Sequence, residues 1–226
     1  MRKIIKRLAT IFYKPFVIKY LSKTRNFRYK DIQLIIPPEV FHPGFFFSTK
    51  LLIEYIKDLN LESKSFLELG AGSGLISIYA AKRNAKVTAT DINPVAVEYL
   101  RTNSTCNNID MQIILSDMFS NIPKNNFDFI IINPPYYKKD PVTFKDYAWY
   151  CGENGKYFQD LFKSLSQYIS AGSTVIMVLS QDCDLGMIRS IAEKNSFNLN
   201  CIFSKKNILE ENFIYKIEQP GIVNLQ

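Results

Sequence analysis

Asn133-Pro134-Pro135-Tyr136 concentrates more usable chemistry than any other four residues of the chain. Its two prolines fix φ and stiffen the backbone. A residue that precedes proline is pushed out of the helical region, which keeps the Pro134 carbonyl free of a helical hydrogen bond. That carbonyl and the Asn133 side-chain oxygen form two acceptors on a rigid support, a match for the two hydrogens of an –NH₂ group. Tyr136 offers a flat face on which a planar amide or base can stack. The nitrogen of such a group is a poor nucleophile, because its lone pair is delocalised. Acceptors that hold both N–H groups out of the conjugated plane localise the pair towards a methyl donor, and transfer is then helped mostly by positioning. No strong base is required before attack, since the nitrogen becomes acidic once alkylated. The competing reading of the same residues is a strand terminator followed by a surface tyrosine.

The second constellation is Glu68-Leu69-Gly70-Ala71-Gly72-Ser73-Gly74, at the end of an apolar strand and the start of a helix. Glycines there permit positive φ and let a ligand lie against the backbone. The helix start adds unpaired N–H donors. Asp91 ends the next strand 21 residues after Gly70, where an acid suits a ribose diol. The glycine spacing is GxGxG, one residue short of the dinucleotide form. NAD competes for such a loop, but the Glu68 carboxylate would repel a pyrophosphate. S-adenosyl-L-methionine has no phosphate, and its ammonium and sulfonium welcome acids nearby. Asp117, after the third strand, is at the edge where an adenine amino group would lie.

These residues need a scaffold that brings strand ends together. From residue 65 the pattern alternates strand and helix: strands over 65–70, 86–91, 111–117, 127–133 and 173–180, and helices over 75–83, after Pro94, over about 156–170 and over 185–195. Continuously apolar strands alternating with helices predict a parallel sheet covered on both faces. Segments at 198–204 and 212–218 predict an antiparallel terminal hairpin. In such sheets the ligand crevice lies beyond the carboxyl ends of the strands, so the proline segment should face the glycine loop. Before residue 65, Ile4, Ile5, Leu8, Ile11 and Phe12 predict an amphipathic helix over 1–14, interrupted near Pro15, and 31–36 predicts a short strand. His42-Pro43-Gly44 reads as a turn, and Ser48 as the cap of a helix running through Leu59.

Composition sets the outer limits. The 226 residues include 28 Lys+Arg, 21 Asp+Glu and one His, for a net charge of +7. Ten of the basic side chains and no acid fall in residues 1–30, so the remaining 196 residues carry a net −3. At 47% hydrophobic the chain can bury a proper core. No apolar run reaches the roughly 20 residues of a membrane helix, so no integral membrane segment is expected. Four cysteines without CxxC spacing argue against a disulfide scaffold or a metal centre and for a reducing, cytoplasmic compartment.

Taken in order, FLELGAGSG, TDINP, the acid of LSD and IIINPPY resemble the class I S-adenosyl-L-methionine-dependent methyltransferases, in the branch that acts on planar –NH₂ groups. The resemblance covers residues about 30–218 and is nearest to the HemK/PrmC-type glutamine methyltransferases of release factors. A Ser48-Thr49 stretch before the glycine loop and Gly152-Glu153-Asn154-Gly155 ahead of a helix support that choice. It implies a Rossmann-like, mostly parallel sheet over residues 46–226, with a short basic appendage over 1–45. It also implies that Glu68, Gly70, Ala71, Gly72, Gly74, Asp91, Ile92, Asp117, Met118 and Asn133 hold the cofactor, and that Asn133, Pro134, Pro135 and Tyr136 hold the target nitrogen. The expected substrate is macromolecular: first a glutamine in a protein such as a translation factor, second an adenine-N6 or guanine-N2 amine of RNA or DNA. A non-catalytic module that binds through its basic helix is the alternative from another class. Residues 1–30 differ from the larger helical domain of the bacterial release-factor enzymes, and are where contact with an anionic surface would arise.

Overall fold

The computed structural model of the protein describes residues 17, 19–207 and 210–220. The helix expected over 1–14 lies outside them. The elements in order are β1 (Arg25–Tyr29), β2 (Ile32–Ile36), α1 (Phe47–Ile56), β3 (Ser65–Leu69), α2 (Leu75–Ala81), β4 (Lys86–Asp91), α3 (Pro94–Cys106), β5 (Gln112–Leu115), β6 (Phe129–Ile132), α4 (Lys156–Leu165), β7 (Thr174–Ser180), α5 (Leu185–Lys194), β8 (Asn198–Lys206) and β9 (Glu211–Glu218).

Seven strands form one sheet in the order β5-β4-β3-β6-β7-β9-β8. The first five run parallel, and β9 and β8 follow antiparallel. This is the mixed α/β architecture that the apolar strand pattern implied. Alternate residues of one strand serve opposite faces: Ile176 and Val178 of β7 join a core with α1, α2 and α3, whereas Val175, Met177 and Leu179 join a second core with α4 and α5. Each fully buried aliphatic or aromatic side chain there contributes about 1.5–3 kcal/mol through removal from water. Strands covered on both sides have no polar face, hence their unbroken apolar runs.

Three sequence expectations change in detail. A strand, β1, occupies part of the basic stretch where no period was evident, paired antiparallel with β2. Its basic side chains hide the pattern: Arg25 turns back, donates Nε–H to the Tyr20 carbonyl at 2.8 Å and sets its guanidinium 4.0 Å over the Tyr20 ring. Helix α1 starts at Phe47, with Phe46 in the cap position and no side-chain cap, so Ser48 is a buried first-turn residue and not the cap. Helix α4 stops at Leu165 and continues as a 3₁₀ turn, because Tyr168 stacks on Phe119 at 4.4 Å and donates its hydroxyl to the Phe119 and Ile122 carbonyls.

The β1–β2 hairpin is tied to the main sheet by two asparagines. The Asn103 amide receives Ile35 N–H at 2.8 Å and donates to the Ile35 and Ser73 carbonyls. The Asn107 amide receives Gln33 N–H at 3.0 Å and donates to the Gln33 carbonyl. Four residues of helix advance about 6 Å and two of strand about 6.8 Å, so the two side chains meet alternate strand residues as a further strand would. Ile32, Leu34, Ile36 and Val40 pack in the same core as α1 to α3, so packing runs unbroken across residue 45. Asn103 is wholly buried, and Asn103→Ala would leave three backbone groups without partners. Urea unfolding should show a loss of about 2–4 kcal/mol with an unchanged m-value. A loss below about 0.5 kcal/mol would show that the hairpin does not depend on this residue.

Candidate active site

The carboxyl ends of β3, β4, β5 and β6 open on one cavity, at the point where chain connections turn from one side of the sheet to the other. Including its open mouth it holds about 1280 Å³ of empty space. Glu68, Gly70, Ala71, Gly72, Asp91, Ile92, Asp117, Met118, Asn133, Pro134, Pro135 and Tyr136 all line it. Gly74 does not. It sits at the α2 cap with φ 86°, and a Cβ there would come within 2.2 Å of Leu100 Cδ1. Its job is close packing of α2 on α3.

Backbone hydrogen bonds fix the glycine loop. Ala71 N–H donates to the Thr90 carbonyl at 2.8 Å, and Gly72 N–H donates to Asp91 Oδ2 at 2.8 Å. Asp91 Oδ1 receives Asn93 N–H at 2.9 Å, and the Asn93 side chain in turn caps α3 by receiving Val95 N–H. One carboxylate thus ties the loop after β3 to the turn after β4. Burial raises the Asp91 pKa, and the N–H groups of Asn93, Gly72 and Ile92 pull it back down. At Gly70, φ is 71° and a Cβ would meet nothing within 4 Å, so the backbone there faces open cavity.

Glu68 is buried inside β3 and receives the Ser77 hydroxyl. Burial pushes its carboxyl up to about 8, against the pull of Ser77. A cation arriving beside it would favour the ionised form. Asp117 is exposed, in a turn that Ser116 pins by donating to the Met118 carbonyl at 2.9 Å, with Met118 at φ 49°.

On the opposite side, among the described residues, no hydrogen bond occupies the Asn133 side chain or the Pro134 carbonyl. The Tyr136 ring leans on Tyr137 at 4.8 Å, and burial raises its phenol pKa. Tyr137 receives Cys151 N–H and donates its own N–H to the Trp149 carbonyl, both at 3.0 Å. That pairing brings Trp149 to the cavity, where its ring meets Phe46 at 5.0 Å and Phe41 at 5.4 Å. Phe41 and Trp149 of this wall escaped sequence reading, as did Tyr157 and Glu210, whereas Phe46 belongs to an aromatic triple that reads either as a lid over the cofactor or as core packing. Of Phe45-Phe46-Phe47, Phe46 builds the wall while Phe45 packs on Tyr20 and His42. His42 is a turn residue: its Nδ1 receives Gly44 N–H at 3.2 Å, and it does not line the cavity. Asp184 caps α5 through Met187 N–H and pairs with Lys138 at 2.9 Å, so Asp182-Cys183-Asp184 is a helix start. No cluster of metal-ligating side chains occurs among the described residues.

Residues 31–151 match the family described as the methyltransferase small domain. A Methanocaldococcus jannaschii chain, provisionally named a protein N5-glutamine methyltransferase, is 34% identical over 157 residues, which are 67% of this chain and 77% of that one. The ribosomal RNA small subunit methyltransferase C of Buchnera aphidicola is 29% identical over 217 residues, 95% of this chain and 58% of that protein, so the chain spans little more than half of it. Among solved structures, the T. thermophilus 16S rRNA N2 G1207 methyltransferase, in complex with AdoMet and guanosine, superposes with a TM-score of 0.59 at 18% identity, over 87% of this chain and 50% of that one. At that identity the likeness concerns the fold.

Glu68 gives the site a pH signature. Unfolded, its carboxyl ionises near 4.5; folded, it keeps its proton to about 8. Between those values the folded state holds a proton that the unfolded chain has lost, so stability falls as pH rises, by at most about 1.4 kcal/mol per pH unit from this group. Urea curves at pH 5, 6, 7 and 8 without cofactor should show the decline, and Glu68→Gln should flatten it. Equal slopes in both proteins would refute the raised value.

Proposed function

Since the chain belongs to the methyltransferase small-domain family, we propose that it moves a methyl group from S-adenosyl-L-methionine to a planar –NH₂ nitrogen. The observation that carries this is the pairing, across one cavity, of an acid-lined glycine loop with two unoccupied acceptors in a rigid Asn-Pro-Pro-Tyr segment. When bound, the cofactor supplies an electrophilic methyl group on a cationic sulfur. The residues fit it. Gly70 leaves backbone open to a close ligand, Asp91 is held with its carboxylate at the cavity for a ribose diol, and Glu68 awaits a positive charge.

The residues of the chain divide the remaining work. Asn133 and the Pro134 carbonyl receive the two N–H groups of the target and turn its lone pair towards the methyl group. Tyr136 supports the plane of the target from one side, and the Phe41–Phe46–Trp149 wall limits the space from the other. Pro134 and Pro135 keep the acceptors from relaxing away. Positioning of this kind is worth several kcal/mol of barrier without any base acting before attack.

The leading substrate is a glutamine side chain of a protein, which the name of the M. jannaschii relative supports. An adenine or guanine amine of RNA is the second reading, favoured by the aromatic wall, on which a base can stack, and by the RNA-methylating relative. No helix among the described residues is long and apolar enough to cross a membrane, and a cytoplasmic place of work is part of the proposal. So is a functional division near residue 45, with the basic segment 1–30 governing contact with partners.

Asn133→Ala should lower methyl transfer at least about 100-fold while leaving cofactor affinity nearly unchanged, and Asp91→Ala should weaken the cofactor first. Tritiated methyl donor incubated with extract of cells lacking this enzyme provides the assay. Label released by protease supports a protein target and label released by nuclease a nucleic acid. Equal loss of cofactor affinity in Asn133→Ala would remove the role given to that residue.

A further inference from the structure

A methylated –NH₂ nitrogen must shed a proton, and neither acceptor that holds it can keep one: amide and peptide oxygens are far weaker bases than a carboxylate. The acids lining the cavity are unevenly placed. Glu68, Asp91 and Asp117 stand at the ends of β3, β4 and β5, on the glycine-loop side. Glu39 lies with the turn after β4, where its carbonyl receives the Asn93 amide. Glu210 comes from the loop between β8 and β9, lines the same cavity and lies near enough to Tyr136 for its charge to act on the phenol.

Its position is well anchored. Glu210 Oε1 receives the N–H of Phe47 at 3.3 Å, one residue from the wall ring of Phe46. The loop is closed by Asn207, whose N–H donates to the Glu210 carbonyl at 2.9 Å and whose Oδ1 receives Glu210 N–H at 2.8 Å. Lys205 Nζ donates to both carboxylate oxygens of Glu54 in α1, at 2.8 and 2.7 Å, and straps the hairpin to the same helix. The Glu210 charge reaches the Tyr136 phenol and adds to its upward shift.

We propose that Glu210 is the group that receives the proton leaving the target nitrogen. This rests on the methyl-transfer reading above. The nitrogen lone pair forms the N–CH₃ bond while the S–CH₃ bond breaks, and that electron pair stays on sulfur as a neutral thioether. The nitrogen, carrying methyl and both hydrogens, holds the positive charge. One N–H bond then breaks, its electrons restore the lone pair, and the proton passes to the Glu210 carboxylate and on to solvent at the mouth. The single histidine offers no alternative, because Tyr20, Phe27 and Phe45 enclose it away from the cavity.

Glu68, in the same cavity, keeps its proton to about 8, so the exchange of carboxylate for amide at position 210, and not the pH dependence, singles out Glu210. The other groups around Glu210 are not free bases. Lys205 is paired with Glu54 and Lys206 with Glu211. The Tyr136 phenol and the Cys183 thiol beside it are both pushed up, the latter to about 12.

The experiment compares wild type, Glu210→Gln and Glu210→Ala at saturating S-adenosyl-L-methionine, reading initial incorporation of tritiated methyl into extract of cells lacking this enzyme from pH 5 to 8. Melting temperature and affinity for S-adenosylhomocysteine are measured on the same proteins. Glutamine keeps an acceptor for Phe47 N–H but is no base. Glu210→Gln should therefore melt and bind like wild type and lose at least about tenfold in rate, whereas Glu210→Ala should also melt lower. A wild-type rate in Glu210→Gln would overturn the inference and leave the methyl-transfer reading standing, as would a rate loss that only follows melting temperature. A wild-type protein that labels nothing at any pH would remove that reading and this inference together.

Discussion

One carboxylate sets the geometry on which the rest depends. Asp91 holds the Gly72 N–H with one oxygen and the Asn93 N–H with the other. It thereby joins the loop that leaves β3 to the turn that leaves β4, and through the Asn93 side chain it reaches the start of α3. Burying a carboxylate is costly, and a ring of backbone donors is what makes it tolerable. The reward is a loop whose shape does not wait for a ligand. From the same helix, Asn103 reaches back to the Ser73 carbonyl and to the β2 edge, so hairpin, glycine loop and α3 are bound into one unit.

The other half of the cavity is rigid for a different reason. Its acceptors belong to a backbone stiffened by consecutive prolines, and its walls are large rings in mutual contact. Hydrogen bonding organises the glycine-loop side, where positive charge is expected. Covalent stiffness and aromatic packing organise the target side, where the requirement is to hold a flat neutral group still. Acids are placed accordingly, with Glu39, Glu68, Asp91 and Asp117 on the first side and Glu210 nearer the second.

Most of the sheet was legible because β6 and β7 are apolar on both faces and β3 is so apart from Glu68, and such runs have few other interpretations. The residues that do chemistry were legible where they are neighbours in sequence, as in Glu68 to Gly72 or Asn133 to Tyr136. Gly74 belongs to the same motif, yet its contact with Leu100 lies 26 positions away and gives no local sign. The aromatic wall failed to appear for the same reason: Phe41 and Trp149 meet only because Tyr137 pairs with the backbone of residues 149 and 151. Glu210 follows a hairpin whose register places it, and no spacing rule leads from it to Asn133. Strand β1 was hidden by its own charges, since Arg25 buries its stem and returns its head to Tyr20.

The net charge of +7 also reads differently once located. Of the basic residues before Asp31, the described ones from Lys19 to Lys30 lead into or lie on a hairpin packed on α3, and Tyr20 rests against His42 and Phe45, next to the wall residues Phe41 and Phe46 in sequence. The cavity that those wall residues line is itself lined with acids, and its mouth is open. Whatever enters that mouth, the account stands first on cofactor recognition. Isothermal titration of S-adenosyl-L-methionine into the protein tests it most directly. The account predicts one molecule bound per chain, with affinity sharply reduced in Asp91→Ala and preserved in Asn133→Ala. Absence of binding, or binding indifferent to Asp91, would contradict it.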